Sequence, residues 1–95
     1  MQKTVIVTGG SRGIGRATSL LLAARSWDVV VNYASNHEEA SSVVADIVRH
    51  GGRANAVRAD VSSASDMKEI FDHAERAYGH VDALVNSAGI IRPSL

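Results

Sequence analysis

The glycines Gly9, Gly13 and Gly15 follow the apolar run Lys3 to Val7 and open a helical stretch, and this is where residue types and spacing best suit binding chemistry. Glycine lets the backbone turn sharply and approach a ligand closely, while the free N–H groups and positive dipole end of a following helix face an anion. The segment Thr8-Gly9-Gly10-Ser11-Arg12-Gly13-Ile14-Gly15 is therefore expected to cradle a phosphate, with Gly9, Ser11, Arg12, Gly13, Ile14 and Gly15 as its binding residues. Glycine clusters also mark ordinary turns, so the strand before and the helix after are what single this one out. Its spacing, G-x-x-x-G-x-G, differs from the G-x-G-x-x-G of many dinucleotide-binding domains but sits in the same strand, turn and helix setting.

Other titratable residues point to solvation instead of chemistry. His37, His50, His73 and His80 fall on separate segments without ligand spacing, which argues against a metal site. Glu38, Glu39 and Glu69 are explained by helix ends and solvated helix faces.

Positioning the glycine loop requires strands that end near it. Apolar runs of strand length, Thr4 to Thr8, Asp28 to Tyr33 and Ala83 to Val85, alternate with helix-length segments, and Val29-Val30-Val31 suits a strand covered on both faces. Helix A is expected over residues 13–25 with Ile14, Ala17, Leu21 and Ala24 on its buried face. Helix B carries Ala40, Val43, Val44, Ile47 and Val48 at the same period, and helix C carries Met67, Ile70, Phe71, Ala74 and Tyr78. Ser35 before Glu38 and Ser63 before Asp66 predict the caps of helices B and C, and Gly51-Gly52 and Gly79 their ends. Strand three, residues 53–60, is the polar one and suits an edge guarded by Arg53, Asn55 and Arg58. Trp27 is expected against the sheet edge.

The order β-α-β-α-β-α-β with right-handed crossovers predicts an α/β fold: a Rossmann-like parallel sheet of order 3-2-1-4 with helices on both faces, truncated after strand four. Helices A and B fall on one face and helix C on the other. A crevice opens beyond the ends of strands one and four, where the order reverses.

Ninety-five residues make a single domain, spanning 1–95, with a modest core. Zero formal net charge, scattered arginines and few aromatics give no field for nucleic acid or an anionic membrane surface. No apolar stretch is long enough to span a bilayer, no signal-peptide core precedes the first strand, and the chain has no cysteine. A cytoplasmic protein is the expectation.

Four features, each after a successive strand, make the chain resemble the short-chain dehydrogenase/reductase family, and within it the 3-oxoacyl-carrier-protein reductases and glucose dehydrogenases. They are Thr8-Gly9-x-x-x-Gly13-x-Gly15, the turn Asn32-Tyr33-Ala34-Ser35 after Val31, the pair Asp60-Val61, and Asn86-Ser87-Ala88-Gly89. The resemblance implies that the glycine loop holds a pyrophosphate, Asp60 and Val61 the adenine, and the backbone from Asn86 to Gly89 the cofactor's central part. Ser87 stands where the family usually has asparagine. An acid at the end of strand two would bind the 2′-hydroxyl of NAD and repel a 2′-phosphate. Asn32, Tyr33, Ala34 and Ser35 supply none, and the Arg12 guanidinium suits a phosphate dianion, which favours NADP over NAD. The plainer reading of Arg12 is a solvated loop charge.

The family's catalytic tyrosine is followed one helical turn later by lysine, with a serine upstream. Here Tyr33 and Tyr78 have His37 and Asp82 at that place, so no catalytic residue is assigned. The chain thus reads as the NADP(H)-binding half of an oxidoreductase acting on a carbonyl or alcohol, lacking the catalytic carboxyl-terminal half and inactive alone. A non-enzymatic NADP-binding or interaction module, or a truncated gene product, are the alternatives. The outer edge of strand four predicts self-association or pairing with the missing half.

Overall fold

Valine-rich runs form the centre of the molecule because their stiff, branched side chains suit a pleated surface covered on both sides. The computed structural model describes residues 2–87. The elements are β1 (Lys3–Thr8), α1 (Gly13–Ala24), β2 (Trp27–Tyr33), α2 (His37–Arg49), β3 (Ala54–Arg58), α3 (Ala64–Tyr78) and β4 (Ala83–Asn86). The sheet is parallel with order β3-β2-β1-β4, as expected. Val5 lies opposite Val29 and Ala83, and Val7 opposite Val31 and Val85.

Alternation along the strands divides the core in two. Val5, Val7, Val29 and Val31 face α1 and α2, packing with Ala40, Val43 and Ile47, while Ile6 and Val30 face α3 and pack with Ile70 and Ala74. The buried faces of α2 and α3 follow the sequence pattern, except that Val48 is exposed.

Helix α1 does not follow it. Ile14 is 79% exposed and Leu21 54%, Ala17 and Ala24 are exposed too, and the buried positions are instead Gly15 and Ser19, flanked by Leu20, Leu22 and Ala23 against the core. The segment is apolar nearly all the way round, so its period fixes a helix but not which face turns inward. The close approach of Gly15 to the preceding loop decides that.

The start of α2 also differs. Asn36, not Ser35, caps it, its Oδ1 accepting from the Glu39 N–H at 3.0 Å, which leaves the Ser35 side chain outside the cap. Ser63 caps α3 as expected, accepting from the Asp66 N–H at 3.2 Å, and Gly79 ends it in the left-handed conformation. Strand β3 is shorter than residues 53–60, and Arg53, just before it, bonds through its guanidinium to the buried Asp28. Asn55 and Arg58 guard the same edge, donating to Tyr78 Oη at 3.1 Å and to the Ala34 carbonyl at 3.2 Å. Trp27 belongs to β2 itself, half-buried beneath the Lys3 ammonium. Strand β4 pairs with β1 alone; no strand lies on its outer side among the described residues, and Leu84 is 44% exposed there. No helix among the described residues is long and apolar enough to cross a membrane.

Candidate functional site

The loop between β1 and α1 is built by a side chain from β2. Asn32 is buried; its Oδ1 accepts from the Gly9 N–H at 3.1 Å, its amide donates to the carbonyls of Val57 and Ala59 at 3.2 Å each, and its carbonyl accepts from the Gly10 N–H at 2.9 Å. One residue thus ties the loop to the carboxyl ends of β2 and β3. Gly9 and Gly13 both adopt positive φ, 62° and 60°. A Cβ on Gly15 would fall 1.9 Å from the Gly9 carbonyl oxygen, so only glycine lets α1 start this close to the loop. A Cβ on Gly13 would meet nothing within 4 Å, because that position faces open space.

That space is a cavity of about 430 Å³. Gly9, Ser11, Arg12 and Gly13 line it from the loop, Tyr33, Ala34, Ser35 and Asn36 from the end of β2, Glu39 from α2, and Ser87 from the end of β4. Helix α1 begins at its wall. It has no side-chain cap and no acid in its first turn, whereas α2 and α3 have both. Its first N–H groups and the positive end of its dipole are therefore available to an anion. The Arg12 side chain, 78% exposed, lies beside them, its Nη1 4.0 Å from Glu39 Oε1.

A second hollow, about 320 Å³, adjoins the first through Ala34 and is lined further by Arg58, Ala59, Asp60 and Asp66. Bonds from the Ser62 hydroxyl at 2.7 Å and the Ser62 N–H at 2.9 Å hold the Asp60 carboxyl below its ordinary pKa. On the opposite flank, the Thr8 hydroxyl meets Asn86 Oδ1 at 2.9 Å, and Ser87 donates through its N–H to Thr8 Oγ1 at 3.0 Å and through Oγ to the Thr8 carbonyl at 2.6 Å. The ends of β1 and β4 are thereby locked together.

The residues expected from sequence thus separate by role. Gly9, Ser11, Arg12, Gly13, Tyr33, Ala34, Ser35 and Ser87 meet around one cavity, and Asp60 lines its neighbour. Gly15 and Asn32 stand behind the wall and hold its shape. Ile14 points to solvent, Val61 and Asn86 flank without lining either hollow, and Ala88 and Gly89 lie outside the described residues. Asn36 and Glu39 are not among the residues expected from sequence, and Thr8 belongs to the glycine motif without a role of its own there. Asn36 was findable, since asparagine caps helices as well as serine does; Glu39 carried no spacing signal.

A larger hollow, about 630 Å³, lies between the carboxyl-terminal ends of α1 and α2, at the other end of the sheet. Its floor is Leu20, Ala23 and Ile47, and its acid, Asp46, is already bonded to Arg16 and Arg49 at 2.8 Å each. It has no free helix N-terminus, so the smaller cavity is the better anion site despite its size. Among the described residues, no cluster of His, Cys, Asp or Glu could hold a metal ion.

Comparison with known proteins agrees with this fold. The short chain dehydrogenase family profile matches residues 3–95. A 3-oxoacyl-[acyl-carrier-protein] reductase of Synechocystis is 45% identical over 93 residues, covering 98% of this chain but 38% of the relative. The short-chain dehydrogenase/reductase homolog YusS of Bacillus subtilis is 44% identical over 92 residues, covering 97% of this chain and 84% of that protein. The crystal structure of a dehydrogenase/reductase from Sinorhizobium meliloti superposes with a TM-score of 0.90 at 45% identity, over 93% of this chain and 35% of that one. The chain therefore spans little more than a third of the length of the reductase relatives it matches.

Proposed function

Because this chain belongs to the short-chain dehydrogenase family, we propose that it binds a dinucleotide across the carboxyl ends of its strands, NADP(H) in preference to NAD(H). The observation that carries the reading is the uncapped start of α1, open to a cavity where Arg12 supplies the only cationic side chain among the described residues. In this arrangement the N–H groups of α1 and the Gly9–Gly13 loop hold the pyrophosphate. Arg12 and Ser35 take the 2′-phosphate, Asp60 and Val61 flank the adenine, and Asn86 and Ser87 lie along the central part, to which the family resemblance also assigns Ala88 and Gly89. The open space at Gly13 fits such a group, and Gly15 lets α1 start close against the loop that would hold it.

A nicotinamide held there would supply hydride chemistry toward a carbonyl or alcohol carbon. This chain's own residues bind and orient it, while the proton donor such a reaction needs has no counterpart at Tyr33 or Tyr78, whose following turns carry His37 and Asp82. We therefore assign the chain a binding role, with turnover dependent on a carboxyl-terminal half docked along β4. A second reading is a cofactor-binding or interaction module that is not itself an enzyme; the short-chain dehydrogenase/reductase homolog YusS, 84% of whose length this chain spans, is a relative of comparable size. Adding a relative's carboxyl-terminal half and assaying NADPH oxidation separates the two, since the module reading predicts no turnover.

Titration of NADPH and NADH by nicotinamide fluorescence tests the binding claim. NADPH should bind about tenfold more tightly, near the low end of what one charge-assisted hydrogen bond contributes, and Arg12→Ala should erase the difference. Equal affinities in the wild-type chain, or a preference that survives Arg12→Ala, would reject it.

A further inference from the structure

We propose that Glu39 is a specificity-determining residue that works against the 2′-phosphate and sets how far Arg12 can favour NADP(H), an inference that rests on reading the cavity as an NADP(H) site. Glu39 lines the same cavity as Arg12, Ser35 and Asn36. Its backbone is pinned, because its N–H donates to the capping Asn36 side chain at 3.0 Å. Its Oε1 is shielded from solvent and accepts no hydrogen bond, and the nearest cation is Arg12 Nη1 at 4.0 Å.

Two consequences follow from that placement. Arg12 makes no other salt bridge among the described residues, so the Glu39 carboxylate already draws the guanidinium that a 2′-phosphate would need. The phosphate, a dianion near neutral pH, would also enter a cavity that holds a carboxylate whose backbone anchor keeps it from swinging far away. A ribose 2′-hydroxyl faces neither difficulty and can donate to the same carboxylate, as it does to an acid at the end of the second strand in NAD-binding sheets. Here the acid comes from the first turn of α2 instead, which is why the turn Asn32 to Ser35 looks acid-free in the sequence.

The test is calorimetric titration of NADPH and NADH into the wild-type chain, Glu39→Gln, Glu38→Gln and Arg12→Ala, with 2′,5′-ADP and 5′-AMP as probes for the phosphate alone. Glu39→Gln keeps the size of the side chain and the Asn36 cap, and melting curves check that each variant folds. Glu38→Gln removes the same charge from the same helical turn outside the cavity. Glu39→Gln should raise the NADPH-to-NADH affinity ratio about three- to tenfold, the scale of one screened charge interaction near a surface, and raise the 2′,5′-ADP to 5′-AMP ratio in parallel, with Glu38→Gln leaving both near wild type. A ratio that stays put or falls in Glu39→Gln, or that rises equally in Glu38→Gln, overturns the proposal. If Arg12→Ala abolishes the preference for NADPH while Glu39→Gln changes nothing, Glu39 alone was misread; if Arg12→Ala changes nothing, the NADP(H) site itself is wrong and this inference falls with it.

Discussion

One methyl group added at Gly15 should disable the protein more thoroughly than the same group at Gly13. At Gly15 the new Cβ would sit 1.9 Å from the Gly9 carbonyl oxygen and 2.9 Å from Ser87 Oγ, so either the loop or α1 must retreat by more than an ångström. Neither can do so freely. The Gly9 N–H is held by Asn32 Oδ1 at 3.1 Å and the Gly10 N–H by the Asn32 carbonyl at 2.9 Å, and the other wall is the helix backbone. Overpacking of this kind costs about 1–3 kcal/mol, and each loop hydrogen bond broken in the retreat adds about 1 kcal/mol. We expect Gly15→Ala to lose about 3 kcal/mol, which for a domain of this size lowers Tm by roughly 12–24 °C. At Gly13 the Cβ meets nothing, and the cost is the φ of 60°, about 1–2 kcal/mol for a residue other than glycine. Gly13→Ala should therefore melt closer to wild type and reveal its defect in NADPH binding, whereas Gly15→Ala should fail in both. Thermal melts followed by circular dichroism, with NADPH titrations on the same samples, decide between these outcomes. A Gly15→Ala protein that melts within about 2 °C of wild type would show that the loop is not held as described.

Two further outcomes follow from other parts of the fold. Strand β4 has no partner on its outer side among the described residues and exposes Leu84, so the chain should self-associate at micromolar concentration by light scattering and Leu84→Lys should reduce it; a wild-type chain that stays monomeric would contradict this. Hydrogen bonds from Arg16 and Arg49 lower the Asp46 pKa below 3.8, so its contribution to stability is present above that value and lost as pH falls through the lowered one. Asp46→Asn should accordingly melt below wild type at neutral pH, with a gap that closes under acid; a gap that stays constant with pH would refute the assignment.

The sheet was readable from sequence because its strands are short β-branched runs with helices between them, and right-handed crossovers together with a polar, edge-like third strand point to the order 3-2-1-4. The phase of α1 was not, since a helix with leucines and alanines on nearly every side has no preferred face until the Gly15 contact selects one. At the site, the glycines and Arg12 announced themselves by spacing and charge. Asn32 looked like a cavity residue because of its place in the chain, yet its amide is occupied in holding the loop to β2 and β3, a role that depends on groups far apart in sequence. Glu39 has only the look of ordinary first-turn charge in the sequence for the same reason: its proximity to Arg12 arises only when α2 folds back beside the glycine loop.

The central claim is that the cofactor lies across the loops at the carboxyl ends of the strands and not in the larger hollow between α1 and α2. Amide chemical-shift mapping of the labelled chain during NADPH titration tests it most directly. Shifts should concentrate at Gly9, Ser11, Arg12, Gly13, Ser35, Asp60 and Ser87, with His50, Gly51 and Gly52 unmoved. Shifts centred on those last three residues, or none at saturating NADPH, would contradict it.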